Sequence, residues 1–458
     1  MAPGEVYMKI DIIGCGKVGK TIATRLAGEG HDITVVDHNR ATLTDIAQTV
    51  DVMAVESSAF DYAAHIEKEN PADLLISCTN SDEVNMLTGL LARKNGVART
   101  IVRVRNPEYH DNMNQIKDEL GLSMAINPEM IAADTISRVL LFPAADGVET
   151  FSNGRAELIE YPVNEGNPLI GKSMRDINMD SKVKVLIAAI ERDGEVIIPT
   201  GSDVVRQGDK IYIAAGRAQI QTFLRSIDSF KTSVETVIIV GGGRISYYLA
   251  ERLIREGMTV KIIERDRVRC EELAQILPEA NIVWGSGTHE ELLGEEGITQ
   301  ADAFVALTGI DEINVIIALY AKKMGVEKVV AKVNQLSFTD MLKSIGVDTI
   351  VSPKKVTANV ILRYVRALHA SGESSSIESL SRLVDGRVEA LEFIIRENAG
   401  YVGVPLKDLK IKSGFLVACI GRRNRVIVPG GFDTIEVGDS VVIVTTHAGV
   451  TGIEEIFR

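Results

Sequence analysis

Two rhythms alternate along the first part of the chain. Short apolar runs predict strands at 8–13, 32–36, 51–55, 73–77, 99–104 and 123–126. Between them, apolar residues recur at helical spacing from near Val18, Ala41, Ala59, Asp82 and Pro107. Strand and helix in strict alternation predict a parallel sheet with helices on both faces. Beyond residue 148 the texture changes. Ala156–Tyr161 reads as a strand and Lys184–Ile190 as a buried run. Asp193-Gly194 marks a hairpin turn before Glu195–Ile198, and Gly208-Asp209 a turn before Lys210–Ala214. This second segment reads as a small α+β domain built from hairpins.

The whole pattern is then written again. Gly14-Cys-Gly-Lys-Val-Gly19 is echoed by Gly241-Gly-Gly-Arg-Ile-Ser246, and Ile33–Asp37 by Val260–Glu264, both at an offset of 227. Thr79-Asn-Ser-Asp-Glu-Val-Asn85 is echoed by Thr308-Gly-Ile-Asp-Glu-Ile-Asn314, and Val102–Val104 by Ala331–Val333, at 229. The Gly208-Asp209 turn returns as Gly438-Asp439 at 230. So long a period means tandem duplication of a two-domain unit, not a solenoid. The expected domains are 8–142, 148–230, 234–368 and 376–458, with His369–Ile377, rich in Ser and Gly, as the linker. The first seven residues stand outside the repeat, and Met8 is a natural start.

Charge and cysteine content narrow the class. The 458 residues carry 50 basic and 63 acidic side chains, a net charge of −13, which disfavours a nucleic-acid partner. No apolar run reaches the ~20 residues of a membrane span, and the N-terminus lacks the basic and apolar regions of a signal peptide. Four scattered cysteines without C-x-x-C spacing predict neither a zinc site nor a disulfide scaffold and fit a reducing cytoplasm.

The candidate chemistry sits in the glycine motifs. Gly14-x-Gly16-x-x-Gly19 follows a predicted strand and opens a helix, the arrangement that brings a pyrophosphate to a helix N-terminus. Asp37, 23 residues after Gly14 at the end of the next strand, suits a ribose 2′-hydroxyl and favours NAD(H) over NADP(H). The first and third domains are therefore expected to be Rossmann-like, doubly wound α/β sheets. In the second copy Ser246 replaces the third glycine, Arg244 adds a charge, and Glu264 keeps the acidic place. Thr79 and Asn80 follow the fourth strand; Arg103 and Lys332 lie on the fifth strands, as phosphate ligands or salt-bridge partners. Asp82, Glu83 and Asn85 read as first-turn helix capping. No catalytic or metal-ligating constellation is apparent, so the chain reads as a sensor without enzymatic chemistry.

These segments, with Val102–Tyr109 and Ile126-Asn-Pro-Glu129, resemble the tandem RCK/KTN family of potassium-conductance regulators, over nearly the whole chain. The nearest likeness within it is the cytoplasmic subunits of Trk potassium uptake systems. The resemblance implies RCK N-terminal and C-terminal domains in tandem. It implies a homotetrameric ring, peripheral on the inner face of the cell membrane, gating a potassium-translocating subunit of the TrkH/TrkG kind. It implies NAD(H) as ligand, with ATP and ADP as further nucleotides. Carried over, the first site comprises Gly14, Cys15, Gly16, Lys17, Val18, Gly19, Asp37, Thr79, Asn80 and Arg103. The second comprises Gly241, Gly242, Gly243, Arg244, Ile245, Glu264, Thr308 and Lys332. The helices after Pro128 and Pro353 resemble crossover helices joining neighbouring lobes. Other readings of the same residues are an NAD-dependent oxidoreductase with a duplicated cofactor domain and a regulator of a potassium efflux channel.

Overall fold

The computed structural model describes residues 8–107, 109, 113–145, 147–152, 154–180, 183–227, 234–334, 349–371 and 377–457. The first seven residues, most of the expected linker and part of Val102–Tyr109 lie outside them.

The first sheet has six parallel strands: β1 (Lys9–Ile13), β2 (Asp32–Asp37), β3 (Met53–Glu56), β4 (Leu74–Ser77), β5 (Arg99–Arg103) and β6 (Met124–Ile126). Their order is β3-β2-β1-β4-β5-β6, so the chain reverses direction across the sheet between β1 and β4. That switch point opens a crevice beyond the carboxyl ends of the strands. β1 and β4 are buried on both faces, as central parallel strands must be.

A five-stranded antiparallel sheet follows: β7 (Gly147–Phe151), β8 (Ala156–Pro162), β9 (Leu186–Arg192), β10 (Glu195–Ile197) and β11 (Lys210–Gly216), ordered β10-β9-β11-β8-β7. The second copy repeats both topologies. Its parallel sheet is β12 (Thr236–Val240), β13 (Thr259–Glu264), β14 (Asn281–Trp284), β15 (Ala303–Ala306), β16 (Lys328–Lys332) and β17 (Thr349–Val351), ordered β14-β13-β12-β15-β16-β17. Its antiparallel sheet is β18 (Ile377–Leu383), β19 (Val388–Ile394), β20 (Phe415–Arg422), β21 (Arg425–Ile427) and β22 (Ser440–Thr445), ordered β18-β19-β22-β20-β21. The α/β alternation, the hairpin domains and the duplication are all as expected. The expected linker differs at its start: the helix Pro353–Ser371 runs through His369 and Ala370.

The copies do not group by sequence order. One compact unit joins the two parallel-sheet lobes, residues 1–140 and 234–362; the other joins the two antiparallel domains, 141–233 and 363–458. In the first unit the helix Pro128–Leu141 of lobe one lays Ala132, Ala133, Ile136 and Leu140 onto a core with Tyr248, Leu249 and Leu253 of lobe two. Asp134 on that helix pairs with Arg252, and Arg25 of lobe one donates to Asn359 on the second lobe's matching helix. Arg25 and Arg252 are repeat equivalents, so the lobes exchange helices about a local pseudo-twofold. In the second unit the antiparallel sheets meet through small side chains, among them Ala188, Ala189, Ala214, Ala390, Ala418 and Cys419.

Candidate nucleotide-binding site

Gly14 has φ +94°, and a Cβ there would lie 2.9 Å from the Cys78 carbonyl carbon and the Thr79 nitrogen. Only glycine makes this turn. Gly241 repeats it, with φ +101° and the Leu307 carbonyl oxygen 2.9 Å from a built Cβ. Each loop opens a helix, Lys17–Gly28 or Arg244–Arg255, whose N-cap glycine offers no capping side chain. The first amides of both helices are thereby left for a ligand.

The acidic residue ending the next strand braces the loop. Asp37 accepts from the Cys15 amide at 2.7 Å and the Asn39 amide at 2.8 Å. Glu264 does the same for Gly242 at 2.5 Å and Asp266 at 2.8 Å. At the fourth strand's end Asn85, fully buried, accepts from the Thr79 amide and hydroxyl, both at 2.8 Å, and donates to the Arg103 carbonyl at 2.9 Å. Asn314 ties Thr308 and Lys332 together in the same way. Asp82 and Glu83 stand in the first turn of the helix Asp82–Lys94 as expected, but the reading of Asn85 as a capping group is corrected: it ties strands instead. Ser81 caps the helix Asp82–Lys94, while Asp82 accepts from the Arg105 and Asn106 amides, both at 2.8 Å. The reason is topological: that helix starts beside the loop leaving β5, which has amides to satisfy.

These groups surround a cleft of about 990 Å³. Gly14, Cys15, Gly16, Lys17, Val18, Asp37, Thr79, Asn80 and Arg103 all line it. Gly19 does not. It lies where the helix crosses β1, and a Cβ there would fall 1.9 Å from the Gly14 carbonyl oxygen. Of the residues assigned to the second site, Ile245 and Lys332 line this first cleft, with Asn334, Pro353 and Lys354 beside them. Gly241, Gly242, Gly243, Arg244, Glu264 and Thr308 gather instead around the second glycine loop.

The cleft is cationic in an acidic chain. Lys17 and Arg103 come from lobe one, Lys332 and Lys354 from lobe two, with Glu129 as an acid among them. Arg103 is 8% exposed; one Nη donates to the Thr79 carbonyl, and among the described residues its Nε finds no partner. Burial lowers the pKa of Lys332 and Lys17 pushes the same way, while Asp311 opposes them; a bound anion would add to that opposition. Cys78 donates its thiol to the Gly14 carbonyl at 3.2 Å, and burial pushes its pKa up to about 12. Ser246 takes over that task in the second copy, donating its hydroxyl to the Gly241 carbonyl. The exchange of third glycine for serine is thus matched by the exchange of Cys78 for Leu307.

Sequence reasoning missed Asn85 and Asn314 as organising residues, although both stand in the repeated Thr-x-x-Asp-Glu-x-Asn motif. It also missed Glu129, on lobe one's own helix after β6, and Asn334 and Lys354, which come to the cleft from lobe two.

Paired lobes with glycine loops at sheet switch points define a duplicated Rossmann-type ligand-binding protein. The TrkA-N domain matches residues 10–128 and 237–353, and the TrkA-C domain matches residues 158–228 and 390–458. The chain belongs to the TrkA family of Trk system potassium uptake proteins. It is 34% identical over 456 residues to a TrkA homolog of Archaeoglobus fulgidus, covering 98% of this chain and 100% of the relative. TrkA of Halomonas elongata is 31% identical over 459 residues, covering 98% of this chain and 99% of that protein. Among solved structures, the GsuK channel superposes with TM-score 0.64 at 18% identity, over 99% of this chain and 78% of that one. The GsuK channel bound to NAD gives TM-score 0.62 at 19% identity, with the same coverage. At these identities the likeness speaks for the fold alone. Among the described residues no helix is long and apolar enough to cross a membrane.

Proposed function

We propose that the chain is a non-enzymatic regulatory subunit of a Trk-type potassium uptake system. It binds NAD(H) and adenine nucleotides and, as a homotetrameric ring on the cytoplasmic face of the membrane, gates a TrkH/TrkG-like potassium-translocating subunit. The four expected domains, 8–142, 148–230, 234–368 and 376–458, are its working parts.

One observation carries this reading. The cleft of lobe one is completed by lobe two, through Lys332 and Lys354. A ligand whose phosphates reach these ammonium groups binds the paired lobes differently from the separated ones. Only such differential affinity lets a ligand drive a conformational change, typically by 1–3 kcal/mol of coupling. The names of the TrkA relatives support the potassium-uptake assignment, and the NAD-bound GsuK channel supports the ligand class.

Calorimetric titration of the purified chain with NADH, then ATP, tests the proposal. We expect saturable NADH binding that ATP displaces or alters. Lys354→Glu is expected to weaken ATP about tenfold or more. No binding of either nucleotide, or steady NADH turnover with a small substrate, overturns the reading. In membranes, potassium flux is expected to depend on the chain.

A further inference from the structure

The two crevices differ at the end where the ribose of a nucleotide would lie. In lobe one, His38 and Thr42 line the cleft just beyond Asp37. The repeat aligns Asp37 with Glu264, and the helix Arg40–Thr49 with Arg267–Ile276. Arg265 and Arg269 therefore stand where lobe one has an imidazole and a hydroxyl.

Arg269 is aimed at the second glycine loop. Its Nε donates to the Gly242 carbonyl at 2.8 Å and one Nη to Glu272 at 2.8 Å, leaving further N–H donors beside the loop. Arg265 is exposed and makes no ion pair among the described residues. Its carbonyl accepts from Trp284 Nε1 at 3.1 Å, and the Arg267 guanidinium lies 5.6 Å from the centre of the Trp284 ring. Trp284 pairs in register with Glu264, at the end of β14. Lobe one has Glu56 at that place, paired with Asp37 in register and approached by Arg40 at 3.9 Å. One crevice thus presents an acid at its lip, the other an indole ring and two extra guanidinium groups. Glu264 accepts from the Gly242 and Asp266 amides just as Asp37 accepts from Cys15 and Asn39, so the difference between the crevices lies in Arg265, Arg269 and Trp284.

We propose that the second crevice takes an adenine nucleotide phosphorylated on its ribose, as in the 2′-phosphate of NADP(H), while the first takes the unphosphorylated form. This rests on reading the second copy as a nucleotide site. A guanidinium matches a phosphate with parallel charge-assisted hydrogen bonds, and an arginine just after the second strand is where a 2′-phosphate falls in this kind of sheet. Trp284 gives the adenine a face on which to stack.

The test titrates the full chain with 5′-AMP and with adenosine 2′,5′-bisphosphate, by calorimetry and by the emission of Trp284, the chain's single tryptophan. The bisphosphate is expected to bind about tenfold tighter than AMP and to change the emission. Arg265→His/Arg269→Thr, which installs the residues of lobe one, is expected to abolish that preference. Arg265→His alone spares the Gly242 contact and still reduces it, which keeps the test informative if the double variant folds poorly. Equal affinities for the two nucleotides overturn the phosphate selection and leave the nucleotide site standing. Calorimetric binding that the double variant retains, with an emission neither ligand moves, confines nucleotides to lobe one and overturns both readings.

Discussion

Single side chains decide how each crevice holds its shape, and most do so by satisfying a backbone group. Asn85 and Asn314 each close several hydrogen bonds between the fourth and fifth strands. Cys78 and Ser246 each satisfy the carbonyl of the first loop glycine. Asp11 is the exception. It sits in the middle of β1, 2% exposed, with Oδ1 lacking a partner among the described residues, and its repeat equivalent is Ile238. Burial raises its pKa above the usual 3.8, against a smaller opposing effect of the Tyr62 hydrogen bond. A carboxyl raised in the folded state favours folding while it is protonated. Its contribution is complete below the usual carboxylate range and lost as pH rises through the raised value. Asp11→Asn is therefore expected to raise the thermal midpoint near pH 7 by about 2–4 °C for each kcal/mol gained. The gain should shrink as the pH falls toward 4. Scanning calorimetry at several pH values checks this, and an equal shift at all pH values would contradict it.

At the scale of elements, the hairpins of the antiparallel domains are the most legible feature and also the least complete one. Asp193 and Gly194 both have positive φ, at 52° and 81°, between the paired residues Arg192 and Glu195, as a tight two-residue turn requires. The Gly208-Asp209 and Gly438-Asp439 turns were readable as turns, but not the role of their acids. Asp209 is 1% exposed and takes Arg192 as a two-point fork at 2.8 and 2.7 Å; Asp439 takes Arg422 at 2.9 and 2.8 Å. Each partner lies 17 residues earlier, across two strands, beyond any local pattern. Each aspartate also accepts the amide three residues before it, Arg206 or Glu436. Losing the acid strands the turn amide and breaks the fork, leaving Arg422 on Glu436 and the Thr434 carbonyl and Arg192 on the Val204 carbonyl. Asp439→Ala is expected to cost about 2–3 kcal/mol, below the full value for a buried pair because Arg422 keeps some solvent. Urea unfolding of the chain measures it; a change below half a kcal/mol would show the fork to be dispensable.

For the molecule as a whole, the units are interleaved along the chain. Each compact unit takes one piece from either half of the sequence. Cutting between residues 230 and 234 would separate the repeat copies and bare an apolar face on each: Ala133, Ile136 and Leu140 on one, Tyr248, Leu249 and Leu253 on the other. The two halves, produced together as separate chains, are expected to copurify as one complex. Halves that elute apart as stable monomers would refute the packing within the units.

The sequence by itself determined the α/β alternation, the hairpin domains, the duplication and the members of each glycine loop. These depend on local periodicity, on turn chemistry and on spacing within one copy. Only the tertiary structure decided that Lys332 and Lys354 belong to the first cleft, that Asn85 ties strands rather than caps a helix, and that the acids of the Gly-Asp turns meet arginines. Those facts depend on which distant segments the sheet order and the pairing of lobes bring together. No pattern along the chain encodes that, because the residues concerned touch across strands and across copies.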